Sequence, residues 1–318
     1  MTIENLIKDL INHIPMKPRY IYLLFALLSA GLWGVMLPII RYLIVNGVSP
    51  LFISIVRLWL GSLTLFLVVL LFKKKVDFRI QNKKFFFILT IFGITLNFIL
   101  MHLGLQFTYS NTAILLAYTV PIWVLLFMFI FFKEKISALK IIAVIVSAIG
   151  IVFVFLGNAT KSQIFSVSLG DVFELLSAVT FAFFIVGSAK FLKLNQISNI
   201  DRLELLMKIF FFSAVFLIPT LFFININVTF IQMLIILGLG IFQTAVAHGL
   251  WYSSISKISP VTISLVFNLI IIFSFVISWL FLDEKFNIFI LVGGVLIILS
   301  IFLSENIKFI RKFLGLNK

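Results

Sequence analysis

The chain of 318 residues contains no cysteine, so a disulfide framework, a thiolate metal site and a thiol nucleophile are all excluded. It is also poor in charge, with 11% Asp, Glu, Lys and Arg, where soluble domains carry about 25%. Acidic residues are scarcest, 11 against 25 basic ones. No H-E-x-x-H pair and no glycine-rich phosphate loop interrupts the apolar text, which removes the zinc-protease arrangement and nucleotide-driven work. Met1 to Ile14 has no compact apolar region ahead of a small-residue cleavage site, because Glu4, Lys8 and Asp9 fall within it. The first apolar run is therefore expected to stay in the mature protein.

What the chain has in excess is apolar surface: 63% hydrophobic residues, 40 of them phenylalanine, and a mean hydropathy of +1.25. A globular core cannot bury that much, and runs of about 18 to 22 apolar residues each match a hydrocarbon thickness of about 30 Å. Ten such runs are read at 21–44, 51–72, 85–105, 112–132, 137–157, 169–189, 205–223, 230–250, 261–282 and 287–304. The expected fold is an all-α polytopic membrane protein with ten transmembrane helices. Ahead of them, residues 1–20 place Ile3, Leu6, Ile7, Leu10, Ile11 and Ile14 on one helical face, as in a segment lying flat on a membrane surface. Residues 305–318 form a basic tail.

The net charge of +14 sorts by loop. With a cytoplasmic N-terminus, almost all Lys and Arg fall in cytoplasmic segments; the outer loops keep only Lys161 and Lys285, and Arg41 and Arg57 lie within spans. That is the positive-inside pattern. It places both termini in the cytoplasm and the protein in the cell membrane, with the lipid bilayer rather than nucleic acid as the partner of the positive charge.

An internal echo organises the chain. Placing Glu134 over Glu284 aligns YSNTAILL with SPVTISLV, FFKEK with FLDEK, and IIAVIVSAIGIVFVF with IFILVGGVLIILSIF at one offset of about 150 residues. Two repeats follow, 21–157 and 169–304. Since each holds five spans, the second enters the membrane from the opposite side, and the repeat is inverted. Exchanging the conformations of two inverted halves turns a cavity open to one side into a cavity open to the other. A transporter by alternating access is the expected function.

At this point the residues resemble the drug/metabolite transporter superfamily, specifically its ten-helix exporters built from two EamA domains. The resemblance rests on Trp33-Gly34, on Pro50 with Arg57 seven residues on, and on Leu105 followed by TYSNTAILLAYTVP ending at Pro121, with Glu134 beyond. In the second half it rests on Gly170-Asp171, LWYSSISKISP from Leu250 to Pro260, Glu284 and Gly293-Gly294. One departure is Ile271, which stands opposite Pro121 where the family repeats a proline; a bend in the ninth helix would have to come from nearby, at Asn268. The resemblance implies a plasma-membrane carrier that moves small metabolites, often amino acids or related compounds, frequently outward.

Charge inside a bilayer costs about 2.5–3.5 kcal/mol on insertion scales, so intramembrane ionisable groups are read first for function. Arg57 and Glu174 lie one to two turns from the same side, and a pairing of Glu174 with Arg57 or Arg41 across the halves is expected as a gate or substrate contact. Asp171 suits a helix cap. Trp33, Tyr118 and Trp251 offer aromatic faces and oriented N–H or O–H groups to a ligand, and Asn97, Gln243 and Asn268 are amides that need partners when buried. Pro121 interrupts the backbone ladder where a cavity wall would profit from it. His102, His248 and Glu174 are the groups suited to carrying protons if protons drive transport, although each histidine also reads as an interfacial hydrogen-bonding residue. Nothing groups them as metal ligands, and no cofactor is expected.

Three functions compete. Secondary active transport of a small-molecule substrate leads, as an exporter or as an uptake carrier for a nucleotide- or sugar-like metabolite. An intramembrane lipid- or phosphate-processing enzyme would use Asp171 with Glu174, or Asp201 with Glu204, as a metal pair. A scaffold without transport would need none of the polar residues inside the spans. The sequence is compatible with a homodimer.

Overall fold

The computed structural model describes residues 18–73, 75–107, 115–133, 136–158, 168–195, 197, 199–281 and 287–305. Residues 1–17 of the surface segment read over 1–20, the tail beyond 305, and the loop residues Glu134, Lys161, Glu284 and Lys285 lie outside them. Among the described residues there is no strand. The helices are α1 Arg19–Val45, α2 Pro50–Lys73, α3 Lys83–Phe107, α4 Leu115–Phe131, α5 Ala138–Gly157, α6 Leu169–Leu194, α7 Asp201–Phe223, α8 Phe230–Ile255, α9 Pro260–Ile277 and α10 Ile288–Glu305. All except α4, in its described part, are long and apolar enough to cross a membrane.

Helices form because lipid offers no hydrogen bonds, so every backbone N–H and C=O must be satisfied within its own segment. The outside is correspondingly apolar: Phe222, Phe223, Phe230 and Ile231 are all more than 60% exposed. Arg57, Asn97, Glu174, Gln243 and Asn268 are buried. This is the reverse of a protein folded in water, and it defines a ring of surface meant for acyl chains. Several helices overrun their expected ends at the basic side: α6 continues past 189 to Leu194, α7 starts before 205, and α8 runs to Ile255. There Lys190 and Lys193 carry α6 out of hydrocarbon while their stems stay along apolar surface.

Packing repeats with the period of the sequence. Helix α5 lies against α10 and α2 against α7, each with its own repeat mate, while α3 packs on α6 as α8 does on α1, and α4 on α6 as α9 does on α1. The contacts between α5 and α10 run antiparallel. Along α5 and α10, Gly150 meets Gly293 and Ile297, whereas Gly157 meets Asn287 and Ile290. A Cβ on Gly293 would sit 2.5 Å from the Gly150 carbonyl oxygen, so this pair closes backbone to backbone. At the basic end Arg19 of α1 pairs with Glu305 of α10 at 2.9 Å, joining the start of the bundle to its finish. Lys73 of α2 bridges Asp201 at 2.5 Å and Glu204 at 2.7 Å on α7, and Lys208 holds Glu204 at 3.0 Å.

Irregularities also come in mates. Helix α3 widens to a π-helical stretch over Leu89–Thr95, and α8 does so over Leu239–Val246, 150 residues on. Helix α4 turns at Tyr118–Thr119 and α9 at Asn268. In α4 the Thr119 N–H donates to the Leu116 carbonyl at 3.2 Å; in α9 the Asn268 N–H donates to that of Leu265 at 3.1 Å. Pro121 gives the first break its chemical cause, since it has no N–H for the Ala117 carbonyl. The second has no proline; Asn268 takes the role, its Nδ2 anchored to Ser147 Oγ of α5 at 2.9 Å. In α1, a break at Val35 sits next to the Gly34 carbonyl that Pro38 cannot serve.

Candidate functional site

A cavity of about 70 Å³ lies between the halves, walled by six helices and one buried cation of a seventh. Helix α1 gives Trp33 and Met36, α2 Arg57, and α3 Asn97, Phe98 and Met101; α4 gives Ala117, Tyr118 and Val120, α8 His248, and α9 Phe267 and Ile270. Helix α6 gives Glu174, Ser177, Ala178 and Phe181, which is the i, i+3, i+4, i+7 face of a single helix. Ligand sites usually enclose about 300–1,000 Å³, so this conformation is contracted around its polar groups.

Arg57 is fully buried and reaches the cavity through neutral partners. Its Nε donates to Thr244 Oγ1 at 3.2 Å, its Nη2 lies 3.0 Å from Met36 Sδ, and its Nη1 is 3.1 Å from His102 Nε2. The guanidinium carbon also stands 5.2 Å from the centre of the Phe98 ring. A guanidinium can only donate, so His102 Nε2 accepts and the ring proton sits on Nδ1, which donates to the Phe98 carbonyl at 2.7 Å. Ser54 Oγ flanks the same nitrogen at 3.1 Å. His102 thus holds Arg57 in place from behind the cavity wall.

The π-helical turns explain how these groups are aimed. Widening a turn leaves carbonyls without their i+4 donor. Side chains five residues on fill in: Thr95 Oγ1 donates to the Thr90 carbonyl at 3.1 Å, Thr244 Oγ1 to that of Leu239 at 3.3 Å, and His248 Nδ1 is 3.0 Å from the carbonyl of Gln243. The same Gln243 carbonyl accepts from Trp33 Nε1 at 3.0 Å. Immediately beyond the turn in α3, Asn97 Nδ2 donates to the Ser177 carbonyl at 2.9 Å and to its hydroxyl at 3.0 Å, tying α3 to the acidic face of α6.

Glu174 is 2% exposed, and its Oε1 has no hydrogen-bond partner among the described residues. The expected ion pair with Arg57 or Arg41 is absent from the described residues. Arg57 is spent on Thr244, His102 and Met36, and Arg41 donates instead to the Leu105 carbonyl. A buried cation and a buried carboxyl therefore line one cavity without neutralising each other. The carboxyl has room because position 104 is glycine: a Cβ there would lie 2.6 Å from Glu174 Oε1. Asp171, in contrast, is a helix cap, forming a capping box with Ser168 in which its Oδ2 accepts the Ser168 N–H at 2.7 Å.

Of the residues singled out from sequence, Trp33, Arg57, Asn97, Tyr118, Glu174 and His248 line the cavity. His102, Gln243 and Trp251 stand behind the wall, and both histidines are buried rather than interfacial. Trp251, fully buried, packs its ring 5.0 Å from that of Trp33 and 6.3 Å from that of Phe181. Pro121 and Asn268 lie at the helix breaks. Asp201 and Glu204, one of the two carboxylate pairs considered for a metal, are engaged by Lys73 and Lys208; of the other pair, Asp171 is a helix cap. No cluster of three metal-ligating side chains occurs among the described residues. Sequence reasoning missed Met36, Ser177, Phe181, Thr244 and Gly104; stepping three and seven residues from Glu174 would have found the two on α6.

Apolar helices in two inverted halves, closing on a cavity lined by a basic and an acidic group that do not pair, define a multi-pass membrane transporter. The chain belongs to the EamA-like transporter family, whose model matches it twice, over residues 20–156 and 168–305. It is similar to the uncharacterized transporter YoaV of Bacillus subtilis, 24% identical over 268 residues that cover 82% of this chain and 88% of that protein. An uncharacterized transporter of Archaeoglobus fulgidus is 25% identical over 276 residues, 87% of this chain and 95% of that one. A solved crystal structure at 14% identity has the same fold, with a TM-score of 0.73 over 90% of this chain and 98% of its own.

Proposed function

We propose that the protein is a secondary active exporter of small metabolites carrying both an acidic and an amino group, amino acids and their relatives, in the cell membrane with both termini in the cytoplasm. The two repeats, 21–157 and 169–304, exchange conformations to expose the cavity alternately to each side. The observation that carries this reading is the coexistence of Arg57 and Glu174 on one cavity without an ion pair. Two buried ionisable groups inside the membrane are costly, and a bilayer protein with no use for them would carry apolar residues there. A zwitterionic solute answers both: its carboxylate takes the N–H groups that Arg57 does not give to Thr244, His102 and Met36, and its ammonium takes Glu174. Trp33, Tyr118, Phe181 and Phe267 supply aromatic faces for an apolar side chain.

Glu174 is also the group we assign to proton coupling, in preference to His102 and His248, because it faces the cavity with an oxygen unserved by the protein. A protonated Glu174 leaves the empty cavity less charged for its return step, and a bound ammonium displaces that proton. The test is flux of labelled amino acids in sealed proteoliposomes. Wild-type protein is expected to exchange internal for external solute, and to accumulate it when a pH gradient is imposed. Glu174→Gln should keep exchange and lose gradient-driven accumulation; Arg57→Gln should lose both. Folded Arg57→Gln protein with full flux, or a wild type inert toward amino acids while moving sugars or nucleosides, would overturn the reading.

A further inference from the structure

Asn97 does more in this fold than join α3 to α6. It lies on the cavity wall and is 7% exposed. Its Nδ2 is 2.9 Å from the Ser177 carbonyl oxygen, 3.0 Å from the Ser177 hydroxyl and 3.4 Å from Thr180 Oγ1. A carbonyl oxygen only accepts, so the amide cannot be turned over without setting two acceptors face to face. Thr180 Oγ1 donates to the same carbonyl at 2.8 Å, which fills its second lone pair. The amide is thus fixed with its N–H groups on α6 and its oxygen, Oδ1, directed away from that helix. Oδ1 accepts no hydrogen bond among the described residues and is not enclosed by protein, so it opens on the cavity that its residue lines.

The same wall carries Glu174, whose Oε1 has no partner among the described residues. One helical turn, about 5.4 Å, separates Glu174 from Ser177, the residue that Asn97 grips, so the two acceptor oxygens are within reach of one small group. Neither is demanded by the architecture. At the repeat offset Asn97 corresponds to Ala247 and Glu174 to Leu24, so the matching contact of α8 on α1 has neither amide nor carboxyl. It is joined instead by Ser29 Oγ, which donates to the Ala247 carbonyl at 2.6 Å. An acceptor shut away from water without a donor is costly, and in a closed cavity the donor must come from the solute.

We propose that Asn97 is a specificity-determining residue for the solute's amino group: with Glu174 it forms a two-acceptor site for a nitrogen bearing at least two N–H bonds, an inference that rests on the amino-acid reading above and sharpens it. One N–H goes to Glu174 Oε1 and a second to Asn97 Oδ1. The third substituent meets the apolar part of the wall, where hydrogen and methyl are both tolerated. Primary and N-methyl amino acids are therefore accepted. N,N-dimethyl and N-trimethyl derivatives are refused, because one acceptor or both would stay unserved.

The test is exchange of labelled leucine and of labelled phenylalanine in sealed proteoliposomes, competed by each amino acid and by its N-methyl, N,N-dimethyl and N-trimethyl derivatives. The parent and the N-methyl compound should compete at similar concentrations, and the loss should come as one step of about tenfold or more at the second methyl. Bulk alone would give a loss that begins at the first methyl. Asn97→Leu, of similar volume, should raise the half-saturating concentration of the parent and abolish the step, since Glu174 needs only the one N–H that the dimethyl compound keeps. Asn97→Asp retains an oxygen for the solute and should retain the step. A purely structural role for Asn97 would lower flux in Asn97→Leu and leave the step in place. A loss that begins at the first methyl, a flat series in wild type, or a step that survives in folded Asn97→Leu would overturn the proposal and leave the exporter reading standing. The wild-type series decides the matter by itself if Asn97→Leu does not fold. A wild type that exchanges neither amino acid would overturn both.

Discussion

At the scale of single residues, the decisive feature is that Arg57 is satisfied without being neutralised. Thr244, His102, Met36 and the Phe98 ring supply hydrogen bonds and polarisable surface, and none of them supplies a negative charge. A hydrogen bond to a charged group contributes about 1.5–3 kcal/mol, which corresponds to roughly 10- to 150-fold in affinity. Arg57→Gln should weaken solute binding by about that factor, measured by isothermal titration in detergent. His102→Gln should have a smaller effect through loss of support. Gly104 provides an independent check of Glu174. Gly104→Ala puts a methyl where the carboxyl rests, 2.6 Å from Oε1. It is expected to raise the solute concentration for half-maximal flux several-fold while shifting the melting temperature by only a few degrees; a variant indistinguishable from wild type in flux would place the carboxyl's working position elsewhere.

At the scale of elements, the breaks in α4 and α9 divide each helix into a mouth segment and a stem, and the π-helical turns of α3 and α8 rotate side chains beyond them toward the cavity. Restoring the ladder should stiffen the moving parts. Pro121→Ala supplies the missing N–H to Ala117, and is expected to slow turnover while leaving solute binding nearly intact, as read from exchange rate against equilibrium binding. Asn268→Leu removes the bond to Ser147 Oγ and leaves that buried hydroxyl without this partner. A loss of about 1–3 kcal/mol of stability follows, visible in thermal unfolding. The positions of the spans and the repeat offset were legible in the sequence because bilayer thickness and Lys/Arg placement are coarse signals. Asn268 as a bend was legible from the missing proline. The π-helical turns were not: LTIFGIT and LGIFQTAV read as ordinary apolar helix, and only packing against the other half selects the wider turn. The pairing of Glu174 was misread for a related reason, since depth in the membrane places two residues at one level without saying which helix faces they occupy.

At the scale of the whole molecule, the mates α2 and α7 are held at one end by Lys73, Asp201, Glu204 and Lys208. Alternating access requires that ends of this kind part and rejoin. Cysteines introduced at Lys73 and Asp201, in a chain with none of its own, should accept a short bismaleimide bridge; the bridged protein is expected to lose flux while keeping solute binding. Retained flux in fully bridged protein would show that α2 and α7 move as one body. The central claim is that the cavity of Arg57 and Glu174 is visited from both sides, and one measurement addresses it directly. Ser177 lines that cavity, and Ser177→Cys is close to isosteric and gives the protein its sole thiol. In sealed proteoliposomes of known orientation, a membrane-impermeant maleimide should label Cys at position 177 from either face, with solute slowing both reactions. Labelling from one face only, at a rate that solute does not change, would contradict the account.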